Sequence, residues 1–174
     1  MAESMAAPCL LVEESPSIVP MMQDVFRLSA PDTFYAAASG CLGWGLPAAV
    51  GLALGERQAG THRPVLALLG DGSFQYSLQA LYTGVQQQLQ IIAVVFQNEE
   101  YGILKQFAIL ENTPHVPGLD LPGLDCVSLA QGYGATSVLS TSLVEFAEHF
   151  KKALQQAGVT VLVIPITKRL SPLY

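Results

Sequence analysis

Short apolar runs, separated by stretches with helical spacing, are the feature that most restricts how this 174-residue chain can fold. Most of the runs are almost continuously hydrophobic, which is typical of strands that are buried on both faces of a sheet. Because they alternate with helical patterns, we expect an α/β, doubly wound fold whose mostly parallel sheet has about six strands and helices on both faces. The expected strands are residues 9–12, 34–38, 65–69, 91–96, 135–138 and 159–164.

Helical patterns lie between these runs, at residues 18–28, 44–57, 74–86, 103–110, 127–132 and 143–156. The last is the best marked, because Ser142 and Glu145 match the capping-box pattern and an apolar stripe follows. Residues 112–125 contain three prolines and two glycines without periodicity, which predicts a long loop. We find no internal repeat, so residues 1–174 are expected to form a single domain.

The composition excludes several classes of protein. Charged residues make up 13% of the chain, against a usual share of about 25%, so we expect another domain or subunit to cover part of the surface. The net charge of −6 comes without a basic cluster, which argues against a nucleic-acid partner. Three widely spaced cysteines fit a reduced, cytoplasmic protein. The sequence has neither a signal-peptide pattern nor a membrane-spanning run of about 18 apolar residues.

The most informative stretch is the end of the third apolar run, where a buried strand leads into Gly70-Asp71-Gly72-Ser73 and a helix follows. In a parallel sheet this is the carboxyl edge, where ligands bind. The glycines allow close approach of the backbone, and the free amides at a helix start suit a phosphate. A carboxylate beside a phosphate requires a hard cation between them, and Mg²⁺ prefers such oxygen ligands.

A second polar segment, residues 97–102, follows the next strand and therefore reaches the same edge. Asn98 offers a neutral side-chain oxygen, and the turn after it can direct the backbone carbonyl of Glu100 at the same ion. Alone, an Asp-Gly pair is typical of a turn and an Asn-Glu-Glu run of a solvated loop. Their occurrence together, at successive strand ends, favours a Mg²⁺ site.

Two functions of other classes remain open from the residues alone. Gly43-x-Gly45-x-x-Ala48 follows a strand and opens a helix, and Asp71 follows 26 residues after Gly45, as in a dinucleotide-binding domain. That alternative leaves Asn98 and the Tyr101-Gly102 pair unexplained. The other alternative is a non-catalytic folding or assembly module that retains the motif.

The spacing of these motifs resembles that of the thiamine-diphosphate-dependent enzymes, in which Gly-Asp-Gly is followed, as here after 25 residues, by Asn. The resemblance extends over nearly the whole chain and is strongest to the benzoylformate decarboxylase family, in residues 40–49, 70–76, 101–102 and 116–120. It implies the C-terminal domain of a 2-oxo acid decarboxylase, with an acetolactate-synthase-like carboligase as the close alternative. The implied Mg²⁺ ligands are Asp71, Asn98 and the carbonyl of Glu100.

The same resemblance implies the rest of the site. The carbonyl of Gly40 would receive the amine of the aminopyrimidine ring, and Leu42 would hold the cofactor in its bent form. Ile103 and Phe107 match positions that border the substrate pocket. The residues implied around the diphosphate are Ser17, Gly72, Ser73, Tyr76 and Gly102, and Asp71, Asn98 and Tyr101 are also implied to bind the cofactor.

The resemblance also implies that half of the active site is absent from this chain. In the family, a glutamate from the N-terminal domain of a neighbouring subunit protonates the aminopyrimidine ring, and no segment here resembles that domain. We therefore expect no catalytic residue in this chain, which would be an inactive C-terminal fragment. Its expected partners are an N-terminal pyrimidine-binding domain and a central domain, within a homodimer or homotetramer.

Overall fold

One parallel sheet organises the structure, a computed structural model that describes residues 9–26 and 30–168, without the side chains of Pro20 and Gln23. Within these residues, six strands lie in the order β2-β1-β3-β4-β6-β5, and every neighbouring pair is parallel. The predicted fold class is confirmed. The strands are β1 (Leu10–Glu14), β2 (Phe34–Ala36), β3 (Val65–Gly70), β4 (Ile91–Gln97), β5 (Thr136–Leu139) and β6 (Val159–Pro165).

The helices lie in the predicted intervals, although the first ends at Val25, the helix after β3 begins at Asp71, and one interval contains two helices. The pattern at 74–86 forms two helices instead of one, because the amides of Leu81 and Tyr82 bond to carbonyls three residues earlier and tighten the chain there. Residues 27–28 of the first predicted helix lie outside the described residues. After a 3-10 turn at Pro16–Ile18, the helices are α1 (Val19–Val25), α2 (Gly45–Ala59), α3 (Asp71–Ser77), α4 (Ala80–Gln86), α5 (Gly102–Leu110), α6 (Cys126–Gly132) and α7 (Leu143–Gln155).

The core consists of two apolar layers, one on each face of the sheet. Alternate residues of β3 enter different layers: Val65, Ala67 and Leu69 pack with α2, α4 and α6, whereas Leu66 and Leu68 pack with α1 and α7. Since both faces are covered, a continuous apolar strand is what the packing requires. No helix in the described part of the chain is long and apolar enough to cross a membrane.

The predicted cap of α7 is confirmed, with a small shift in one partner. The hydroxyl of Ser142 accepts a hydrogen bond from the amide of Glu145 at 3.2 Å. The carboxylate of Glu145 accepts from the amide of Thr141 at 2.8 Å, one residue before the capping serine. These two bonds pair one amide in the first turn of α7 and one amide just before the helix.

Candidate functional site

The carboxyl edge of the sheet brings the predicted metal ligands together. β3 and β4 are neighbours in register, with Gly70 opposite Phe96, so Asp71 and Asn98 follow at adjacent strand ends. On the other side of β3, Leu69 lies opposite Glu14, the last residue of β1. Three neighbouring strands thus deliver Glu14, Asp71 and Asn98 to one edge.

Asp71 is a buried carboxylate with an exposed fraction of 1%. Its Oδ1 atom accepts from the amide of Gly72 at 2.8 Å, and its Oδ2 atom accepts from the amide of Glu99 at 2.7 Å. Burial raises the pKa of Asp71, and the hydrogen bonds from these amides lower it and offset part of that effect. A cation at the same edge would stabilise a buried anion of this kind.

The segment after β4 carries the other predicted ligands. The side-chain oxygen of Asn98 accepts from the amide of Glu100 at 3.3 Å, and an amide oxygen has a second lone pair for another partner. The side chain of Glu100 is buried, and its Oε2 atom pairs with Lys105 at 2.6 Å. Its carboxylate therefore serves an ion pair, and the metal role implied for residue 100 concerns only the backbone carbonyl.

Lys105 also connects this segment to the proline-rich loop. Its Nζ atom lies 2.5 Å from Oδ1 of Asp120, while the amide of Tyr101 donates to the carbonyl of Leu119 at 2.9 Å. Residues 119–121 thereby form an antiparallel bridge with the segment after β4, between Glu100 and Asp120. The loop at 112–125, predicted from its prolines, borders the site and holds this segment against it.

A cavity of about 50 Å³ lies at this edge. By the same measure one water needs at least 10–15 Å³, so the cavity has room for a few water-sized groups, such as an ion and phosphate oxygens. Most of the predicted site residues line it: Ser17, Leu42, Asp71, Gly72, Ser73, Asn98, Glu100, Tyr101, Gly102 and Ile103.

The remaining predicted residues do not line this cavity. Gly40 is exposed in the loop before α2. The side chains of Tyr76 and Phe107 are also exposed, with exposed fractions of 57% and 46%. Roles in contact with a cofactor or substrate therefore stay predictions for Gly40, Tyr76 and Phe107, because any such contact would lie beyond the cavity wall.

Tyr101 is fixed by a neighbour that the sequence analysis did not single out. Its hydroxyl accepts a hydrogen bond from Nε2 of Gln75 at 2.8 Å, and its ring meets that of Tyr76 edge to face at 6.4 Å. Burial is the largest cause of its raised pKa, so the phenol stays protonated well above neutral pH. Gln75 lies one turn into α3, and no local pattern marked it.

Glu14 is the more consequential omission. The amides of Gly43, Trp44 and Gly45 all donate to its carboxylate. Burial raises the pKa of Glu14, while the amides of Gly45, Gly43 and Trp44 lower it and offset part of that effect. An acidic residue at the carboxyl end of a buried strand was the available signal, the same signal that marked Asp71.

The position of Glu14 bears on the dinucleotide alternative. In such domains the pyrophosphate sits on the amides at the start of the glycine-rich helix. Here the amides of Gly43, Trp44 and Gly45 are directed at an anion that the chain itself supplies. A phosphate at this helix start would compete with Glu14, which argues against a dinucleotide there.

The set of donors at the cavity suits one kind of metal. Among the described residues, no group of three or more His, Cys, Asp or Glu side chains could hold a metal ion. Mg²⁺ does not need such a group, because it is commonly bound by one or two carboxylates together with waters and ligand phosphates. One carboxylate, one amide oxygen and one backbone carbonyl are compatible with that mode.

Comparison with protein families identifies the family of the chain. The model of the "Thiamine pyrophosphate enzyme, C-terminal TPP binding domain" matches residues 17–164. The chain belongs to this family. Thiamine pyrophosphate and thiamine diphosphate are the same cofactor, so the resemblance stated from the motifs is confirmed.

Individual relatives include benzoylformate decarboxylases. The enzyme of that name from Pseudomonas aeruginosa is 33% identical over 163 residues, which cover 94% of this chain and 30% of the relative. The crystal structure of benzoylformate decarboxylase from Polynucleobacter necessarius superposes with a TM-score of 0.97 at 62% identity, over 99% of this chain and 32% of that one. The 4-hydroxybenzoylformate decarboxylase of Rhodococcus jostii RHA1 gives a TM-score of 0.91 at 34% identity, over 98% and 32% of the two chains.

Acetolactate synthases are also similar to this chain. The isozyme 3 large subunit from Escherichia coli is 31% identical over 125 residues, which cover 71% of this chain and 21% of the relative. The chain thus spans about a third or less of the length of these relatives. The activity of the whole protein is therefore a matter for proposal.

Proposed function

We propose that this chain binds the diphosphate of thiamine diphosphate through Mg²⁺, as the C-terminal domain of a benzoylformate-decarboxylase-like 2-oxo acid decarboxylase. The buried carboxylate of Asp71 carries the proposal, because it lies with Asn98 on a cavity with room for an ion and phosphate oxygens. The similarity to benzoylformate decarboxylases at up to 62% identity supports the choice of reaction.

In this proposal the metal ligands are Asp71, Asn98 and the carbonyl of Glu100. Ser17, Gly72, Ser73, Tyr76, Tyr101 and Gly102 surround the diphosphate, the carbonyl of Gly40 receives the amine of the aminopyrimidine ring, and Leu42 supports the bent cofactor. Ile103 and Phe107 border the substrate. The cavity lining supports most of these assignments, and those of Gly40, Tyr76 and Phe107 rest on the motif resemblance alone.

The bound cofactor supplies the electron sink that lets carbon dioxide leave a 2-oxo acid. The chain contributes anchoring and shape, and we assign it no catalytic residue. Residues 1–174 act as one domain beside an N-terminal pyrimidine-binding domain and a central domain, in a cytoplasmic homodimer or homotetramer. The described cysteines, Cys9, Cys41 and Cys126, form no disulfide bond, which is consistent with a reducing compartment.

An acetolactate-synthase-like carboligase is the second candidate, favoured by the similarity to the Escherichia coli isozyme. Product analysis of the full-length protein separates the two. A decarboxylase converts an aromatic 2-oxo acid into an aldehyde and carbon dioxide, whereas a carboligase joins two pyruvate units with loss of one carbon dioxide. Exclusive formation of the joined product would replace our assignment of the reaction while keeping the cofactor site.

Calorimetric titration of the full-length protein with thiamine diphosphate tests the cofactor site. We expect binding with Mg²⁺ and little binding with EDTA. Asp71→Asn should weaken binding by about 100-fold or more, because removal of one partner from a buried ionic contact costs about 3–5 kcal/mol. Asp24→Asn, at an exposed position of α1, is the control. Near-native affinity of Asp71→Asn would contradict the metal assignment.

The same protein should show no saturable binding of reduced nicotinamide cofactor in a fluorescence titration. Glu14 already accepts the amides that a dinucleotide phosphate would need. Tight nicotinamide binding together with absent thiamine diphosphate binding would overturn the proposal in favour of the dinucleotide alternative.

A further inference from the structure

Three consecutive backbone amides converge on one buried carboxylate at the edge of the candidate site. Oε1 of Glu14 accepts from the amide of Gly43 and, at 3.1 Å, from that of Trp44, while Oε2 accepts from the amide of Gly45 at 2.9 Å. The exposed fraction of Glu14 is only 4%. Charge-assisted hydrogen bonds of this kind are stronger than neutral ones, so the three amides are held firmly.

These amides belong to the start of α2, where Trp44 is the N-cap. The first amides of a helix have no partner within the helix, and an indole side chain has no acceptor to offer them. Glu14 supplies that acceptor from a strand 30 residues earlier in the chain. Its negative charge also lies at the positive end of the dipole of a 15-residue helix.

The packing disfavours any residue larger than glycine at position 45. A Cβ atom there would lie 2.8 Å from Oε2 of Glu14 and 3.0 Å from Cδ2 of Leu69. The backbone of the turn therefore approaches the sheet edge as closely as the carboxylate allows. This contact explains Gly45 of the glycine pattern, whereas Gly43 is explained by its positive φ of 97°.

Leu42 immediately precedes the first of the three amides, and it lines the same cavity as Asp71. The position of its side chain depends on the backbone that follows it. That backbone is tied to β1, which neighbours the strand that leads into Asp71. The Glu14 carboxylate thus connects the wall that carries Leu42 to the sheet edge that carries the metal ligands.

We propose that Glu14 is a positioning residue, which holds the turn at residues 41–45 and, through it, Leu42 in the geometry that cofactor binding requires. This inference rests on the proposed function. Glu14 acts through the three amides and not by contact with the metal or the cofactor. Replacement by glutamine keeps the size of the side chain, but one of its two acceptors becomes an NH₂ group that faces amide donors.

Hydrogen exchange of the cofactor-free, full-length protein tests the anchor itself. In Glu14→Gln we expect the amides of residues 43–45 to exchange at least about 10-fold faster, because their acceptor is weakened. Glu56→Gln is the matched control, because Glu56 is a buried acid in α2, the helix whose first amides bond to Glu14. Its carboxylate pairs with Arg63, away from the turn. Unchanged exchange at residues 43–45 in Glu14→Gln would overturn the proposal.

A double-mutant cycle of Glu14→Gln, Leu42→Ala and the double variant tests whether Glu14 affects cofactor binding through Leu42. The quantity measured is the calorimetric affinity for thiamine diphosphate at saturating Mg²⁺. We expect Glu14→Gln to weaken cofactor binding by about 10-fold. Leu42→Ala should reduce the affinity much less in the Glu14→Gln variant than in the wild type. Glu56→Gln should bind normally despite its lower stability. Wild-type affinity of Glu14→Gln, or losses that multiply in the double variant, would overturn the role.

The outcomes separate this role from the proposed function. If the wild-type protein fails to bind thiamine diphosphate, the proposed function is refuted, and the role of Glu14 toward the cofactor is refuted with it. If the wild type binds the cofactor but Glu14→Gln shows unchanged exchange at residues 43–45 or wild-type affinity, the proposed function stands and only the role of Glu14 is refuted.

Discussion

The ring of Tyr101 lies so close to Gly72 that a Cβ atom at residue 72 would stand 2.5 Å from Cε1 and 2.8 Å from Cδ1 of that ring. The ring has little freedom to retreat, because Gln75 holds its hydroxyl and Tyr76 packs against it edge to face. The contact joins the first turn of α3 to the residue that precedes α5. It explains on steric grounds why the residue after Asp71 is glycine.

Gly72→Ala should therefore destabilise the protein, by about 1–3 kcal/mol, because an added methyl group in a filled space forces its neighbours to shift. Gly55→Ala is the matched control, since Gly55 is exposed in α2 and a Cβ atom added there would meet nothing within 4 Å. That variant should gain about 0.4–1 kcal/mol, because alanine favours the helix. Urea unfolding of both variants is the measurement, and wild-type stability of Gly72→Ala would contradict the steric argument.

The ion pair between Glu56 and Arg63 makes stability depend on pH in the acid range. Nη2 of Arg63 lies 2.7 Å from Oε1 of Glu56, and Nε donates to Oε2 at 3.0 Å. Hydrogen bonds from Arg63 and Thr61 lower the pKa of Glu56 to about 2. An unfolded glutamate titrates near pH 4.3, so the folded state holds the ionised form more strongly.

Glu56→Gln should accordingly lower the free energy of unfolding at pH 7, by about 1–3 kcal/mol. Because the folded pKa is depressed, this difference is present above about pH 4.3 and shrinks as the pH falls toward about 2. Urea unfolding at pH 7, 5, 4 and 3 measures it, with the exposed Glu148→Gln of α7 as the control. A difference that stays constant down to pH 3 would disprove the linkage.

The fold was largely predictable because its strands are buried on both faces. β6 was expected at residues 159–164 and runs over Val159–Pro165. The edge strand β2 is shorter than the predicted 34–38, because it pairs only with β1 and its ladder ends at Ala36. Local pattern determines which segments are strands, whereas strand length also depends on the neighbour that a strand finds.

The site was predictable to the extent that its residues follow strand ends. Asp71 and Asn98 come directly after neighbouring strands, so the parallel sheet alone brings them together. The partners of Glu14 lie 29 to 31 residues later in the chain, and only the packing of α2 against β1 reveals them. The contact between Gln75 and Tyr101 has the same origin, since it depends on where α3 meets the residue before α5.

The isolated 174-residue chain should show no decarboxylation of any 2-oxo acid. Under the proposed function, the glutamate that protonates the aminopyrimidine ring and the pocket for that ring belong to another domain. Cofactor binding to the chain should also be weak, because half of the contact surface is missing and the loops must be ordered without it. A coupled aldehyde assay on the pure chain, with the full-length protein as the positive control, is the measurement. Turnover by the pure chain would show that the site is complete without those domains.

Ile103 gives the most direct prediction about the substrate. It lines the cavity at the start of α5, and Phe107 follows four residues later on the same face, outside the lining. An apolar face at this place predicts that the full-length enzyme prefers a 2-oxo acid with a hydrophobic side chain. The β-branched side chain of Ile103 also narrows the space available to a flat aromatic ring.

Ile103→Ala should therefore raise kcat/KM for bulky aromatic 2-oxo acids relative to small aliphatic ones, by about 10-fold if about 1.4 kcal/mol of crowding is relieved. Leu104→Ala is the matched control, because Leu104 is the next residue of α5 and its side chain is exposed. Steady-state kinetics of the full-length variants with both substrate classes provide the ratio. A ratio that is unchanged in Ile103→Ala, or changed equally in Leu104→Ala, would mean that Ile103 does not face the substrate.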